Sequence, residues 1–382
     1  MNARKSLLSI AVLVAMSGVA VADNGTVNTT QNGDKNALTV DQSFASGSKT
    51  TINQTGTQNA SDVDQTGRRN TATVTQVSGA GVTGDVKQVA KLNQGGRDND
   101  ATIHQEGTTA TKVTATINQG LNGDSFNTAG ITQVAGRGNA QALINQGGDA
   151  NKGYITQNKT IAGSATVTQG GSGNYGSINQ NDSYMGESVK VTQSGLANKG
   201  TITQSDTDFK NSSITQSGAL NVATVEQSNA NFGSADITQN ALYSDATAYQ
   251  RSGNNMNATI NQTGFSNSAT TDQAGHNHTA TVKQQLGSDA GLVSVTQRGN
   301  SQKAEVTQTW GSNNVAYVSQ SGAYNEENLL QSGYNNTATI TQTGTAAAGY
   351  ANTVSLTQSG NLQSATVQQS GGASNSAVIV QR

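Results

Sequence analysis

A glutamine returns every 11 or 12 residues along almost the whole chain. The series opens with Gln31, Gln42, Gln54, Gln65, Gln76 and Gln88. It continues through Gln193, Gln204, Gln216, Gln227, Gln239 and Gln250, and closes at Gln358, Gln369 and Gln381. Steps of 11 and 12 often alternate, so two steps make a unit of about 23 residues, within the range of repeat architectures. A unit that short cannot bury a hydrophobic face alone, so it must stack on copies of itself.

Counting back from each Gln exposes a second regularity. Two residues before it stands an aliphatic side chain, such as Val74, Val225 or Ile340; Thr29, Ala248 and Thr271 are exceptions. Four before stands a small residue, such as Ala72, Ala223 or Ala338. Six before, Asn is common, as at Asn70, Asn221 and Asn336. Thr, Asp, Lys, Ser and Glu fill the positions between. Period two with β-branched residues on one face marks a strand. The inward rows are therefore Asn70-Ala72-Val74-Gln76, Asn221-Ala223-Val225-Gln227 and Asn336-Ala338-Ile340-Gln342. A turn of the form Gln-x-Gly-x-x-Asn follows many strands. Its glycines are Gly33, Gly56, Gly67, Gly195, Gly218, Gly264, Gly333 and Gly360. Gly permits the positive φ such a turn needs, and Asn tolerates it. The 12-residue steps have looser turns, as at 205–211.

The phase slips in places. Gln88 to Gln105 is long, and Gln94 with Gly96 restarts the series, which places an inserted loop at 89–93. Gln105 to Gln119 and Gln342 to Gln358 also hold extra residues, the latter as a loop at 343–352. Insertions should fall between strands, at the surface.

Composition excludes the ordinary alternatives. Hydrophobic residues make up 32% of the 382 and charged residues 12%, well under the apolar share of a globular domain. Low hydrophobicity suggests disorder, but disordered chains are usually rich in proline and net charge. This chain has no Pro and a net charge of -2. A Pro-free chain can commit every backbone N–H to a strand ladder. Without Cys there is no disulfide framework, thiolate site or Cys-based zinc site. Charges are scattered without a basic stripe, which argues against a nucleic-acid partner.

Residues 1–22 read as a secretory signal peptide. Arg4 and Lys5 precede the apolar run Leu7–Met16, which is too short to span a bilayer, so no stable membrane insertion is expected. Ala20-Val21-Ala22 supplies the small-x-small cleavage pattern, with Asp23 as the mature start. Residues 23–382 then form one array of repeats.

Stacking explains why a polar repeat can fold. One two-strand unit buries about two Val or Ile side chains at roughly 1.5–3 kcal/mol each. That is far less than the backbone entropy of ordering the unit. In a stack, every N–H and C=O pairs with the coil above or below at about 4.8 Å. Inward Asn and Gln amides then meet identical amides in register and bond along a ladder. The expected fold is all-β: a two-sided parallel β-solenoid of strand–turn–strand coils. About fifteen coils would make a rod roughly 70 Å long. The last rung, with Val378, Ile379, Val380 and Gln381, is β-branched and presents an open strand edge, which templates another chain.

The spacing Gln-x-Gly-x-x-Asn-x-Ala-x-x-x-Gln resembles curlin, the repeat-containing subunit of bacterial curli amyloid fibres. Gln65, Gly67, Asn70, Ala72 and Gln76 match it position by position, as do Gln216, Gly218, Asn221, Ala223 and Gln227. The resemblance covers nearly all of residues 23–382, with many more repeats than familiar members have. It implies a secreted amyloid subunit of the biofilm matrix that supports adhesion, on a Gram-negative-type bacterium. It also implies three kinds of partner: further copies of itself, a nucleator subunit and an outer-membrane secretion channel. A nucleator-like minor subunit and a non-polymerising solenoid adhesin or stalk are the alternatives.

Other chemistries fit less well. Outward Thr pairs, such as Thr73/Thr75 and Thr201/Thr203, suggest an ice-binding face, but most rungs break the pattern with Asp62/Asp64 or Thr224/Glu226. Strand propensity explains outward Thr. The Gly-Gly-x-Gly-x-Asp nonapeptide of calcium-binding β-rolls is absent. His276 and His278 lack an evident third ligand and read as solvated turn residues, and His104 as an outward strand position. No nucleophile–base constellation appears, so neither enzyme activity nor a cofactor is expected.

Overall fold

A computed structural model describes residues 24–78, 88–107, 112–136, 138–184, 188–285, 287–347 and 349–382 of the protein. The expected signal peptide, including Ala20, Ala22 and Asp23, lies outside the described residues.

All regular structure among the described residues is β. The strands form two facing walls of fifteen, joined alternately along the chain into about fifteen coils. The first wall begins with Thr26–Asn32, Lys49–Thr55 and Thr71–Val77 and ends with Ser364–Ser370. The second begins with Ala37–Asp41 and Asn59–Gln65 and ends with Ser376–Gln381. Neighbours within a wall are parallel and in register: Ala223, Val225 and Gln227 lie opposite Ala246, Ala248 and Gln250. This is the two-sided parallel solenoid that the repeat requires.

The period-two pattern sets which side chains turn inward. Along Thr71–Val77, Ala72, Val74 and Gln76 are fully buried while the residues between them are not. Val225, Ile340 and their equivalents form one continuous core between the walls. Small Ala beside Val or Ile lets the walls approach closely. Ala248 and Thr271 interrupt the aliphatic row yet remain buried, whereas Thr29 in the first coil is exposed.

The corners explain the glycines. All eight glycines of the Gln-x-Gly turn have positive φ. At Gly195 (φ 92°) a Cβ would stand 2.0 Å from the Gly218 carbonyl oxygen of the next coil. Turns stacked at the sheet spacing leave no room there for a side chain. The second-wall corner is smoother near the middle of the rod, where Val222–Leu242 and Asp245–Phe265 each bend from one wall to the other as a single strand.

One expectation is corrected. Residues 89–93 are not a loop; they form the centre of the strand Gln88–Gln94, with Ala90, Leu92 and Gln94 inward. Gln88 lies opposite Asn59, so it occupies the Asn position and Gln94 is the Gln of its coil. Two Gln residues six apart on one strand face give the sequence two possible phases, and the pairing of Gln65 with Gln94 selects between them. The extra residues of this coil lie before Gln88, where 79–87 are outside the described residues. The additions after Gln105 and Thr343 do fall between strands.

Candidate assembly surface

Two glutamine ladders run the length of the rod. Each inward Gln donates from Nε2 to the Oε1 of the Gln in the next coil. In the first wall the links run unbroken from Gln31 to Gln369, at 2.6–3.0 Å. In the second they run from Gln42 to Gln381, at 2.7–3.0 Å. The second amide hydrogen goes to main-chain carbonyls, as when Gln216 Nε2 reaches Lys199 O at 3.0 Å. These amides are buried but satisfied, and aligned dipoles strengthen one another.

Every link points the same way, so the ladders have unlike ends. The first coil presents the side-chain carbonyl oxygens of Gln31 and Gln42. The last presents the amide groups of Gln369 and Gln381. Among the described residues, the outermost strands of each wall pair on one side only, leaving main-chain groups on the other. In the last strand, Ile379 packs against the core and Gln381 joins its ladder. Val378 and Val380 lie on the outer face, 73% and 56% exposed, and do not join the inward rows.

Corner asparagines form a third ladder. At the corner leading into the first wall, Asn70, Asn99, Asn127, Asn151, Asn174, Asn198 and Asn221 stack without interruption. The Oδ1 of each accepts the main-chain N–H of the next at 2.8–3.1 Å. The Nδ2 of Asn221 donates to Ser217 O and Ala241 O. Each of these Asn residues ties its turn to its neighbours, and all but Asn127, whose Nδ2 reaches Gly148 O, also close their own turn. Asn336, in the last coil but one, makes the same contacts with Asn314, Ser332, Gly360 and Gln363.

Three titratable residues stand in inward rows where the repeat has Asn or Ala. Lys210 is fully buried at the Asn position, with Nζ 3.1 Å from Gln250 Oε1 and 3.4 Å from Met256 O. It reaches across Gly233, which leaves the space open. His278 is also buried at an Asn position, its Nε2 3.0 Å from Ala274 O, and burial pushes its imidazole pKa down. The reading of His278 as a solvated turn residue is therefore corrected. His276 beside it is exposed, and His104 faces outward, 3.1 Å from Glu106. Glu327 occupies an Ala position between Ala304 and Val354. It is 3% exposed, neither carboxyl oxygen has a hydrogen-bond partner, and burial pushes its pKa well above the usual glutamate range. The repeat could have revealed all three. Counting six back from Gln216 and Gln284 gives Lys210 and His278, and four back from Gln331 gives Glu327.

Comparison with known proteins is consistent with this geometry. Residues 48–77, 253–285 and 292–322 match the family model of the curlin associated repeat. No curated protein matches the chain.

Proposed function

Because this chain belongs to the curlin family, we propose that it is a secreted structural subunit that stacks end to end into extracellular amyloid fibres. The observation that carries the reading is the pair of one-way glutamine ladders with complementary open ends. The amide end of one copy fits the carbonyl end of another, so joining them would continue both ladders and pair the open strand edges. A head-to-tail contact of this kind does not close on itself and propagates as a filament. The fibre would be polar, with every rod oriented alike.

The proposed life history follows from the same reading. A signal peptide over 1–22 directs export, and the repeats of 23–382 build the fibre. A secretion channel in the outer membrane and a nucleator subunit are its expected partners. Fibres of this kind would support adhesion and aggregation in a biofilm.

The test is growth of the mature chain, followed by amyloid-dye fluorescence and electron microscopy with and without seeds. Seeded fibres are expected. Ile379→Asp would set a charge among aliphatics at the last strand and should slow elongation strongly. Val378→Pro removes one edge N–H and should also slow it. The same changes in the loop 349–351, before the strand that starts at Asn352, should have little effect. A chain that stays monomeric for days at tens of micromolar, without seeding, would instead be the solenoid adhesin or stalk.

A further inference from the structure

We propose that the corner beside the only tryptophan is a binding groove for a neutral oligosaccharide. The corner leading into the first wall holds a groove of about 660 Å³ among Asp289, Trp310, Ser312, Ser332 and Tyr334, over a floor of glycines. Such a volume lies within the ordinary range of ligand sites. Trp310 is 72% exposed and Tyr334, one coil on, is 53% exposed. Neither ring is stacked on another aromatic, and neither the indole N–H nor the phenol hydroxyl is engaged within the described residues.

The floor is made of main chain. At Gly311 a Cβ would stand 1.8 Å from the Gly333 carbonyl oxygen, and at Gly287 a Cβ would meet the Trp310 ring at 2.9 Å. The indole therefore lies over a bare glycine, on a rung held by the ladder bond from Gly333 N–H to Trp310 O at 2.7 Å. Exposed aromatic side chains held on a rigid frame lose little entropy when they bind.

The chemistry of the lining selects the ligand class. A pyranose ring has an apolar C–H face that lies flat on an aromatic ring, and hydroxyls around its rim. Trp310 and Tyr334 supply the platforms. Ser312 supplies a hydroxyl that both donates and accepts, while Ser332, whose hydroxyl already donates to Gln358 O at 3.4 Å, and Asp289 supply acceptors. The Asp289 Oδ1 already accepts the Phe265 N–H at 3.0 Å, which orients the carboxylate. No basic residue lines the groove, and its one charge is negative, so a nucleic acid or other polyanion is disfavoured. A quaternary ammonium ion needs an aromatic cage, whereas these two rings stand along an open channel. Successive rungs are about 4.8 Å apart, close to one sugar residue of an extended glycan. A chain of sugars running along the rod would meet a new rung at each residue.

The site makes its own reporter, because Trp310 is the only tryptophan. Mature protein would be titrated with cellohexaose, maltohexaose, chitohexaose and choline chloride while tryptophan emission is followed. The proposal expects a saturable change with at least one hexasaccharide and none with choline. Tyr334→Ala keeps the reporter and should weaken binding at least about 5-fold, a loss within the range of one stacking contact. Trp310→Ala, read by calorimetry, should abolish binding, while Trp310→Phe should retain most of it. Both rings are exposed, so these variants keep the core and should melt like the parent. The site does not depend on assembly, and unassembled protein can be used throughout. No response to any hexasaccharide up to about 10 mM, a level that detects only very weak binding, would overturn the proposal. So would binding of choline alone, or parental affinity in Trp310→Ala.

Discussion

The two corners of each coil solve one problem in different ways. At the corner leading into the first wall, seven consecutive coils place Asn at the same point, from Asn70 to Asn221, and each side chain ties its coil to the next. At the corner leading into the second wall, the equivalent column reads Gln88, Val113, Ala140 and Gly163 in early coils and Lys210, Gly233, Met256, His278 and Gln302 later. Asn holds that column only near the ends, at Asn36 and Asn59 and at Asn325, Asn352 and Asn375. A solenoid therefore tolerates a varied column when each residue fills space or reaches a main-chain carbonyl. What it does not tolerate cheaply is a buried polar atom without a partner. The first corner contributes order through repetition, and the second through individual fits.

The sharpest test of that difference is Asn198→Ala. It removes the acceptor of the Asn221 N–H and the donor to Ser194 O and Gly218 O. Each buried group left unpaired costs about 1–3 kcal/mol, so a loss of about 3 kcal/mol is expected in urea unfolding of unassembled protein. Met256→Leu, in the varied column, preserves volume and should cost less than about 1.5 kcal/mol. Equal losses at the two sites would mean that the asparagine ladder contributes nothing beyond its packing.

Glu327 extends the comparison to pH. The Gln side chains of the two ladders are satisfied by their neighbours, but this carboxyl is not. Its folded-state pKa is raised, so the folded chain holds the proton more tightly than the unfolded chain does. Stability is then greatest below the unfolded glutamate range and falls as pH rises toward the raised folded value. Outward Lys303, Glu305 and Glu326 flank it; the Glu305 main chain draws the pKa back down in part, while the Glu305 carboxylate adds repulsion. Unfolding midpoints should decline between mildly acidic and neutral pH, and Glu327→Gln should flatten that decline. A parent curve that rises over the same interval would show that the carboxyl is not held neutral in the core.

The same contrast explains what the sequence made legible. The fold, the wall registers and the rows around Gln76, Gln227 and Gln342 followed from a period that repetition makes redundant. Many coils agree, so one misread coil hardly matters. The coil of Gln88 and Gln94 was misread because both glutamines are buried on one strand face, and only the register with Asn59 separates them. Lys210, His278 and Glu327 were missed because residue type suggested solvent, while position placed them inside. Position prevailed because the neighbouring coils had already fixed the inward face. The groove at Trp310 and Tyr334 was not legible either, since it depends on which turns lie one above another.

The smallest predicted effect is a repair. His278 sits in an Asn position, and its Nδ1 is buried without a partner while Nε2 meets Ala274 O. An Asn there could donate to Ala274 O from Nδ2, as Asn221 does to Ser217 O, and offer Oδ1 to the Gln302 N–H one coil on, as Asn198 does for Asn221. It would replace an unsatisfied ring nitrogen with a satisfied amide. His278→Asn should therefore stabilise the chain by about 1 kcal/mol, the net worth of one hydrogen bond. Burial holds the imidazole pKa below its usual value, so the parent loses stability as pH falls from the unfolded histidine range toward the lowered folded value. The advantage of Asn should widen as pH falls through that interval, in the direction opposite to Glu327. Unfolding of parent, His278→Asn and the double variant with Glu327→Gln, each at several pH values, would separate the two groups. A destabilised His278→Asn would mean that this column is fitted around the imidazole ring, and that its departures from Asn are adaptations of the corner rather than gaps in a ladder.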